Sequence, residues 1–389
     1  MSSEGHLVPL RVGIIGTGVG ATHAAAFNAQ ANTEVAAICA PSLEHVGEVP
    51  NLPSVKCYTD HEQMLSEERL DIVVVVTPNY LHDRMTLDAL AAGTHVVCEK
   101  PLGMNAAEAR EMAATADSLG RVHFVPFVWR FVPAFAYATK LIGESFVGTL
   151  YLVTVQYFNR GYGDPHGPMR WQFDKKRAGS GVLANLASHF LHLLDLWFGG
   201  IARVHALTSV QFPRRTLPDG ALANADSEDV LTMQAVLGDS DIPCSMAVTT
   251  VAYVGRNQLE ISIFGSEGSL VISNDWSCPE AFIGTIKGMR GDEHVPARFH
   301  IPVRQPAQAF PARGLYGPFR GALCEMAREV TGAVREGRRA APDFWDVLRV
   351  QEVIDAALVS SATDQWVSVE LHPRSKPSTS ESAHRLPGH

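Results

Sequence analysis

One predicted helix carries the residue types of acid–base chemistry along a single face. The apolar side chains of Leu183–Phe198 share one broad face at about 100° per residue. The opposite face holds five polar residues at helical spacing: Asn185, Ser188, His189, His192 and Asp195. Solvated helix faces usually carry Lys and Glu, and this face carries neither. The pattern therefore predicts the wall of a pocket.

A metal site is the alternative interpretation of this face, because His189 and His192 could both be ligands. No HExxH-like motif or carboxylate cluster accompanies them, so the substrate pocket is favoured and no metal is predicted. The cysteines include no CxxC pair and no zinc spacing, and we expect them to be buried, reduced thiols. They are scattered along the chain: Cys39, Cys57, Cys98, Cys244, Cys278 and Cys324.

A glycine-rich turn near the start of the chain matches a dinucleotide-binding fingerprint. It lies between a predicted strand, Arg11–Ile15, and a predicted helix, Ala21–Gln30. Gly16 permits the tight turn, Gly18 lets backbone N–H groups approach a pyrophosphate, and Ala21 allows close packing of helix on sheet. The predicted cofactor-binding residues of this turn are Gly16, Thr17, Gly18, Val19, Gly20 and Ala21.

Ala40 occupies the position that normally helps to select NAD over NADP. The fingerprint usually ends, about twenty residues on, with an acid that binds the adenosine ribose. The second predicted strand ends at Cys39, so Ala40 stands where this acid is expected. Loss of the acid removes repulsion toward a 2′-phosphate, yet no Arg or Lys follows nearby to bind one. The sequence leaves the choice between NAD and NADP open.

Two further strand ends are expected at the same crevice, because ligands of open parallel sheets bind beyond the carboxyl ends of the strands. A Thr-Pro-Asn turn follows the β-branched run 71–76, and a Glu-Lys pair follows the next short strand. Either feature alone would be an ordinary turn or a solvated pair. Their joint position predicts cofactor contacts from six more residues. These are Thr77, Pro78, Asn79, His82, Glu99 and Lys100.

The elements that must position these residues fall into two domains. Short apolar runs alternate with helical segments as far as about Pro126, which is the pattern of βαβ units. Longer alternating segments and tight turns follow, which is typical of antiparallel strands. The predicted fold class is an α/β domain with a doubly wound parallel sheet of the Rossmann type, followed by an α+β domain with a large, mostly antiparallel open sheet. The predicted boundaries are residues 1–126, residues 127–372 and a disordered tail, residues 373–389.

The sequence resembles the Gfo/Idh/MocA oxidoreductases over about residues 10–372. The matching stretches are Gly16–Ala21 with His23, Thr77–Asn79 with His82, residues 92–102 (AGTHVVCEKPL) and, more weakly, Ala341–Val350. The resemblance implies NAD or NADP as the cofactor. It also places Lys100 at the substrate hydroxyl, beside the nicotinamide.

The segment Ser180–His192 is similar to the family's second catalytic motif, GGxxxDxGxHxxD, but differs at both acidic positions. His189 is retained, whereas Asn185 and His192 replace the two acids. The resemblance implies Lys100, His189 and Asn185 as catalytic residues. An asparagine can orient a hydroxyl group but cannot exchange a proton with it, so the departure bears on the mechanism.

A Gly/Pro-rich loop, residues 159–168, precedes the polar helix. It could be a mobile lid that lines a sugar-like substrate, or an ordinary surface loop. The segment 211–226 could likewise be a lid, an oligomer contact or a long loop. Arg130 follows the first domain, where the resemblance implies a contact with substrate or cofactor. The predicted substrate-binding residues are Arg130, His166, Arg170, Trp171, Asn185, His189 and His192.

The composition of the chain argues against two classes of partner, nucleic acids and membranes. The 389 residues include 41 acidic and 32 basic side chains, and the net charge of −9 argues against nucleic-acid binding. No signal-peptide pattern opens the chain and no run of about eighteen apolar residues occurs, so we expect no membrane contact and a cytoplasmic location. The resemblance implies a homodimer or homotetramer.

The leading hypothesis is an NAD(P)-dependent oxidoreductase that acts on a secondary alcohol or ketone of a sugar, cyclitol or glycoside. Only the resemblance supplies this substrate class. One alternative is a glycoside-cleaving enzyme that oxidises and re-reduces a sugar carbon with retained NAD. The other is a catalytically silent regulator, which Asn185 favours, although a binding module has no need of both Lys100 and His189.

Overall fold

The structure is a computed structural model that describes residues 8–42, 55–238, 241–254, 258–275, 283–291, 293, 295–301 and 319–370. Cys278 and the predicted tail lie outside the described residues. Among the described helices, none combines the length and the apolar character that crossing a membrane requires.

A parallel sheet with helices between its strands forms the first part of the chain, as predicted. Its strands are β1 (Leu10–Ile15), β2 (Thr33–Cys39), β3 (Lys56–Tyr58), β4 (Ile72–Val75), β5 (His95–Cys98) and β6 (His123–Phe124). Its helices are α1 (Gly20–Asn28), α2 (His61–Glu67), α3 (His82–Ala91) and α4 (Ala106–Ser118). In the described residues the strand order is β3-β2-β1-β4-β5-β6, so the order reverses between β1 and β4. Every residue of β4 is buried, which explains its unbroken β-branched sequence.

A large, mostly antiparallel sheet forms the second part of the chain, which confirms the predicted fold class. Its longer strands are β7 (Leu150–Phe158), β8 (Ile201–Ser209), β11 (Val230–Leu237), β12 (Ile242–Thr249), β13 (Gln258–Gly265), β14 (Gly268–Asp275) and β15 (Thr285–Arg290). The short strands β16 (Ala297–Arg298) and β17 (Val367–Ser368) lie at its edges. Among the described strands, β7 and β12 pair in parallel and the other neighbours pair antiparallel. The strands β9 (Arg214–Thr216) and β10 (Leu222–Asn224) form a separate hairpin.

The described residues of the second part also form five α-helices. They are α5 (Pro133–Gly143), α6 (Lys175–Ala178), α7 (Ser188–Phe198), α8 (Arg320–Glu336) and α9 (Phe344–Thr363). The helix α5 packs on β14 and β15, and α9 packs on β8. Two of the helices also return to the first domain, where α8 packs on α1 and α9 packs on α4. Arg110 and Glu352 form an ion pair of 2.6 Å across the second of these contacts, so the two parts of the chain pack directly against each other.

Candidate active site

The turn after β1 needs glycine at its first position. Gly16 has a φ of +110°, and a Cβ there would lie 2.4 Å from the carbonyl oxygen of Val76. Its own N–H donates to the carbonyl of Cys39 at 2.8 Å. No other residue type fits this close approach of two strand ends.

Gly18 differs, because a Cβ there would have no atom within 4 Å. The fold itself therefore does not require glycine at this exposed position, and the open space suits a ligand that approaches the backbone closely. The helix α1 begins two residues later and has no acidic side chain in its first turn, which favours an anion at its N-terminus. Of the remaining predicted contacts of this turn, Thr17 is partly exposed, Val19 and Ala21 pack in part against the core, and Gly20 is buried. The space at Gly18 and the N-terminus of α1 fit the pyrophosphate of a dinucleotide.

The predicted contacts after β4 mostly serve to join elements. Asn79 is buried and donates to the carbonyl of Ala178 at 2.8 Å, which ties the turn to α6. His82 lies between the carbonyl oxygens of Pro101 (2.8 Å) and Thr77 (3.0 Å), so it links this turn to the segment after β5. Burial lowers the pKa of His82, and the contacts with the two backbone carbonyls oppose this effect. Thr77 and Pro78 remain partly exposed at the crevice, and Ala40 is buried at the end of β2.

Glu99 and Lys100 extend from β5 in opposite directions. Glu99 accepts a hydrogen bond from His23 on α1, with 2.8 Å between Oε1 and Nε2. Lys100 Nζ donates to Asn185, at 2.8 Å to the backbone oxygen and 3.0 Å to Oδ1. Burial lowers the pKa of Lys100, and the charge of Glu99 opposes this effect. Burial would raise the pKa of Glu99, but the hydrogen bond from His23 and the charges of His23 and Lys100 hold it below its usual value.

Asn185 reaches Lys100 from a π-helical turn, Leu183–Ala187. The prediction of one continuous α-helix over Leu183–Phe198 was wrong for this turn, because its wider winding precedes α7. Glu228 holds the start of the turn by accepting hydrogen bonds from the N–H groups of Gly181 (2.7 Å) and Leu183 (3.2 Å). π-Helical turns are rare and occur frequently at functional sites, since they change the direction of a side chain.

His189 lies beside Lys100 and is only 5% exposed. Burial, together with the charges of Lys100 and His192, moves the pKa of His189 well below its usual value. Its ring meets Phe127 edge-on at 5.4 Å between centroids, whereas His192 stacks flat on the same ring at 4.6 Å. Nδ1 of His189 is buried and makes no hydrogen bond within the part of the chain that the structure describes. The site therefore offers a neutral imidazole next to a lysine.

Asp195 does not line the pocket as predicted, because it turns toward α9. Arg349 donates to both of its carboxylate oxygens, at 3.0 and 2.8 Å, and also binds Asp346 at 3.0 Å. Burial would raise the pKa of Asp346, but the charges of Arg349, His192 and Arg130 hold it below its usual value. His192 and Arg130 therefore lie near this acidic end of α9.

Hydrogen bonds hold the loop of residues 159–168 against a neighbouring strand, so it does not have the form of a free lid. Arg215 of β9 is 2% exposed and donates to the backbone oxygens of Asp164 (2.6 Å) and Tyr162 (3.0 Å). The segment 211–226 is thus a hairpin that clamps this loop. Burial raises the pKa of Tyr162, and the neighbouring Arg170, Asn185 and Arg215 oppose this effect. Of the predicted residues here, His166 is exposed, and Arg170 lies 5.9 Å from the centre of the Tyr162 ring.

Trp171 begins a short 3-10 turn that ends at Phe173, below the same loop. No described contact joins Trp171 or His166 to Lys100 or Asn185. The metal alternative gains no support at His189. In the described residues, the group of potential ligands that lies together is His61, Glu62 and Asp88, on the surface of α2 and α3.

Four residues that the sequence analysis did not assign shape this site: His23, Tyr162, Arg215 and Glu228. His23 belongs to a stretch that carries the family resemblance, but nothing in the sequence indicates its function. Tyr162 was the aromatic residue of a Gly/Pro-rich loop. Arg215 and Glu228 gave no signal, because their partners are about fifty residues away along the chain.

The two domains match known proteins along most of their length. Residues 10–127 match an oxidoreductase family with an NAD-binding Rossmann fold, and residues 139–369 match the C-terminal alpha/beta domain of the same family. The levoglucosan dehydrogenase of Pseudarthrobacter phenanthrenivorans is 28% identical over 387 residues, covering 92% of this chain and 98% of that protein. The D-glucoside 3-dehydrogenase of Escherichia coli is 32% identical over 205 residues, covering 51% of this chain and 57% of that protein.

A solved structure of levoglucosan dehydrogenase, in complex with NADH and levoglucosan, is also similar. It has a TM-score of 0.81 and 26% identity, and the match covers 93% of this chain and 99% of that one. The chain therefore belongs to the Gfo/Idh/MocA oxidoreductase family, and its first domain is an NAD-binding Rossmann domain.

Proposed function

We propose that the protein is an NAD-dependent dehydrogenase that oxidises a secondary alcohol of a sugar, cyclitol or glycoside. In this proposal residues 1–126 bind the cofactor and residues 127–372 bind the substrate. The observation that carries it is the contact of Lys100 with Asn185, which puts a partly buried amine from the cofactor domain beside His189 of the second domain. The relatives named for levoglucosan and D-glucoside support the class of substrate.

Bound NAD supplies the acceptor for the hydride that leaves the substrate carbon. The substrate hydroxyl loses its proton to His189, which is neutral because burial and nearby charge lower its pKa. Lys100 hydrogen-bonds the same oxygen and polarises it. Asn185 holds Lys100 through Oδ1 and orients the hydroxyl without exchanging a proton. One C–H and one O–H bond break, a C=O bond forms, and NADH and a proton are released.

Steady-state kinetics with levoglucosan and methyl glycosides tests this proposal. We expect Lys100→Ala and His189→Ala each to lower kcat by about 10²–10⁴-fold, which is the usual contribution of acid–base catalysis. A fluorescence titration should show that both variants still bind NADH. Accumulation of NADH at its absorbance band separates net oxidation from a cycle that retains NAD. Unchanged rates in both variants would refute the assignment.

The end of β2 favours NAD over NADP in this proposal. The sequence from Pro41 to Val55 contains no Arg or Lys that could bind a 2′-phosphate. The next basic residue, Lys56, donates to Glu68 at 2.6 Å. Parallel titrations should therefore give a lower Kd for NADH than for NADPH, and equal affinities would contradict this choice.

The open face of the second sheet supports assembly into a homodimer or homotetramer. Leu152 and Phe264 are cross-strand neighbours on this face and are 36% and 39% exposed. Leu207 on β8 is 65% exposed. Uncovered apolar side chains on a sheet commonly mark a protein interface. Light scattering after size-exclusion chromatography should give a multiple of the chain mass, and Phe264→Glu should lower it.

A further inference from the structure

Lys100 contacts only neutral oxygens across the site. Its two recorded partners are the backbone and amide oxygens of Asn185. Within the described residues no carboxylate contacts Nζ, because Glu99 directs one oxygen to His23 and the other to the backbone N–H of Lys100. The amine therefore stands in a part of the site that holds no unused negative charge.

The other carboxylates near the site are also engaged. Asp195 and Asp346 both bind Arg349, at 2.8 and 3.0 Å. The carboxylates of Glu99, Asp195 and Asp346 are therefore each directed to a partner within the protein. This charge balance suits a substrate that brings its own negative group.

Arg170 is the side chain best placed to receive such a group. It is exposed, and its recorded contact is with the Tyr162 ring, 5.9 Å from the guanidinium carbon to the ring centre. It forms no ion pair with any carboxylate in the part of the chain that the structure describes. The side chain of Tyr162 lies near that of Asn185, and Asn185 accepts from Lys100 at 3.0 Å. Arg170, Tyr162, Asn185 and Lys100 thus form one row of neighbouring side chains, with Arg170 at one end and Lys100 at the other.

An independent feature marks where the reacting hydroxyl lies. The imidazole of His189 is 95% buried beside Lys100, and its Nδ1 has no hydrogen-bond partner in the described residues. A buried polar atom without a partner is costly, and a bound hydroxyl group would satisfy it. A substrate hydroxyl group would therefore lie at the Lys100 end of this row of side chains, and the guanidinium of Arg170 lies at the other end.

We propose that the substrate is an acidic sugar, whose oxidised carbon lies at Lys100 and His189 and whose carboxylate binds Arg170. A guanidinium group presents a planar fork of N–H donors that matches a carboxylate with two parallel hydrogen bonds. A neutral sugar would leave Arg170 with water alone. The inference rests on the proposed function, since it names the class of alcohol that the same site oxidises.

Matched pairs of substrates test the inference. The methyl glycosides of D-glucuronate and D-galacturonate are compared with those of D-glucose and D-galactose, because a methyl group blocks the anomeric hydroxyl in all four. The rate of NADH formation gives kcat/KM for each compound. We expect the acidic member of at least one pair to be favoured by about tenfold or more, which is the value of one charged hydrogen bond.

The variant Arg170→Met removes the charge and keeps the length of the side chain. We expect it to abolish the preference for the acidic glycoside, measured as the ratio of kcat/KM for the two members of a pair. Arg203→Met is the matched control, because Arg203 lies 5.2 Å from the Trp366 ring on the second sheet, remote from Lys100. The control should keep the wild-type preference. A wild-type enzyme that favours the neutral member of both pairs overturns the inference and leaves the dehydrogenase standing, as does an unaltered preference in Arg170→Met.

Absence of turnover with all four compounds would count against the proposed function instead. The inference is then decided by binding, measured as the thermal shift of the NADH-bound protein. Stabilisation by the uronides alone, lost in Arg170→Met, supports an acidic ligand. Equal shifts with neutral and acidic glycosides overturn it.

Discussion

Nε2 of His23 lies 2.8 Å from Oε1 of Glu99, and both side chains are almost completely buried, at 4% and 13% exposure. A carboxylate can only accept, so His23 donates this hydrogen bond. The contact joins the helix that begins at the glycine-rich turn to the strand end that carries Lys100. The turn proposed to bind the pyrophosphate and the lysine proposed to face the substrate are therefore held in one unit across the switch point of the sheet.

We expect His23→Leu to weaken NADH binding by about tenfold or more, because a hydrogen bond to a charged group contributes about 1.5–3 kcal/mol and its loss leaves Glu99 unsatisfied. Calorimetric titration measures the change in Kd. His23→Gln keeps an N–H donor near Glu99 and should recover most of the affinity. Equal losses in the two variants would show that the packing of the ring matters, and not its hydrogen bond.

Substitutions of Gly16 and Gly18 should have different effects, the first on stability and the second on NADH binding. Gly16→Ala should lower the free energy of unfolding by about 1–3 kcal/mol, because φ is positive there and a Cβ would meet Val76 at 2.4 Å. Gly18→Ala should leave Tm unchanged, since a Cβ there meets no atom within 4 Å, but should weaken NADH binding. Thermal denaturation and a fluorescence titration of both variants check this. A destabilised Gly18→Ala protein would contradict the assignment of that space to the cofactor.

The elements of the first domain were predictable because their signals are local. A buried β-branched run such as Ile72–Val75 and a glycine turn before a helix depend on neighbours within a few residues. The contacts that define the site are not local. Lys100 and Asn185 are 85 residues apart, and Tyr162 and Arg215 are 53 apart. The spacing of residues predicted a regular α-helix through Asn185. The wider turn begins where Glu228 accepts backbone hydrogen bonds, and residue spacing does not reveal such a distant partner.

Arg215→Met tests whether the hairpin positions the loop over the site. The substitution removes two hydrogen bonds to the backbone oxygens of Tyr162 and Asp164, so we expect the free energy of unfolding to fall by about 1–3 kcal/mol. KM for the sugar should rise as Tyr162 loses its position, whereas Kd for NADH should not change. Arg214→Met is the control, because the neighbouring Arg214 is exposed on the same strand. A change in NADH affinity alone would rule out this role.

Asn185→Asp would place a carboxylate at the oxygen that accepts from Lys100 at 3.0 Å. An opposite charge at this distance favours the protonated amine and raises its pKa by about 1–3 units, and the pKa of the adjacent His189 should rise as well. Oxidation requires the proton acceptor, His189, to be unprotonated, so the acid limb of kcat/KM should move to higher pH by about one unit or more. Asn185→Ser is the neutral control and should show no upward shift. Rates measured from pH 5 to 10 give both profiles, and coinciding acid limbs for Asn185→Asp and the wild type would mean that neither Lys100 nor His189 is the proton acceptor.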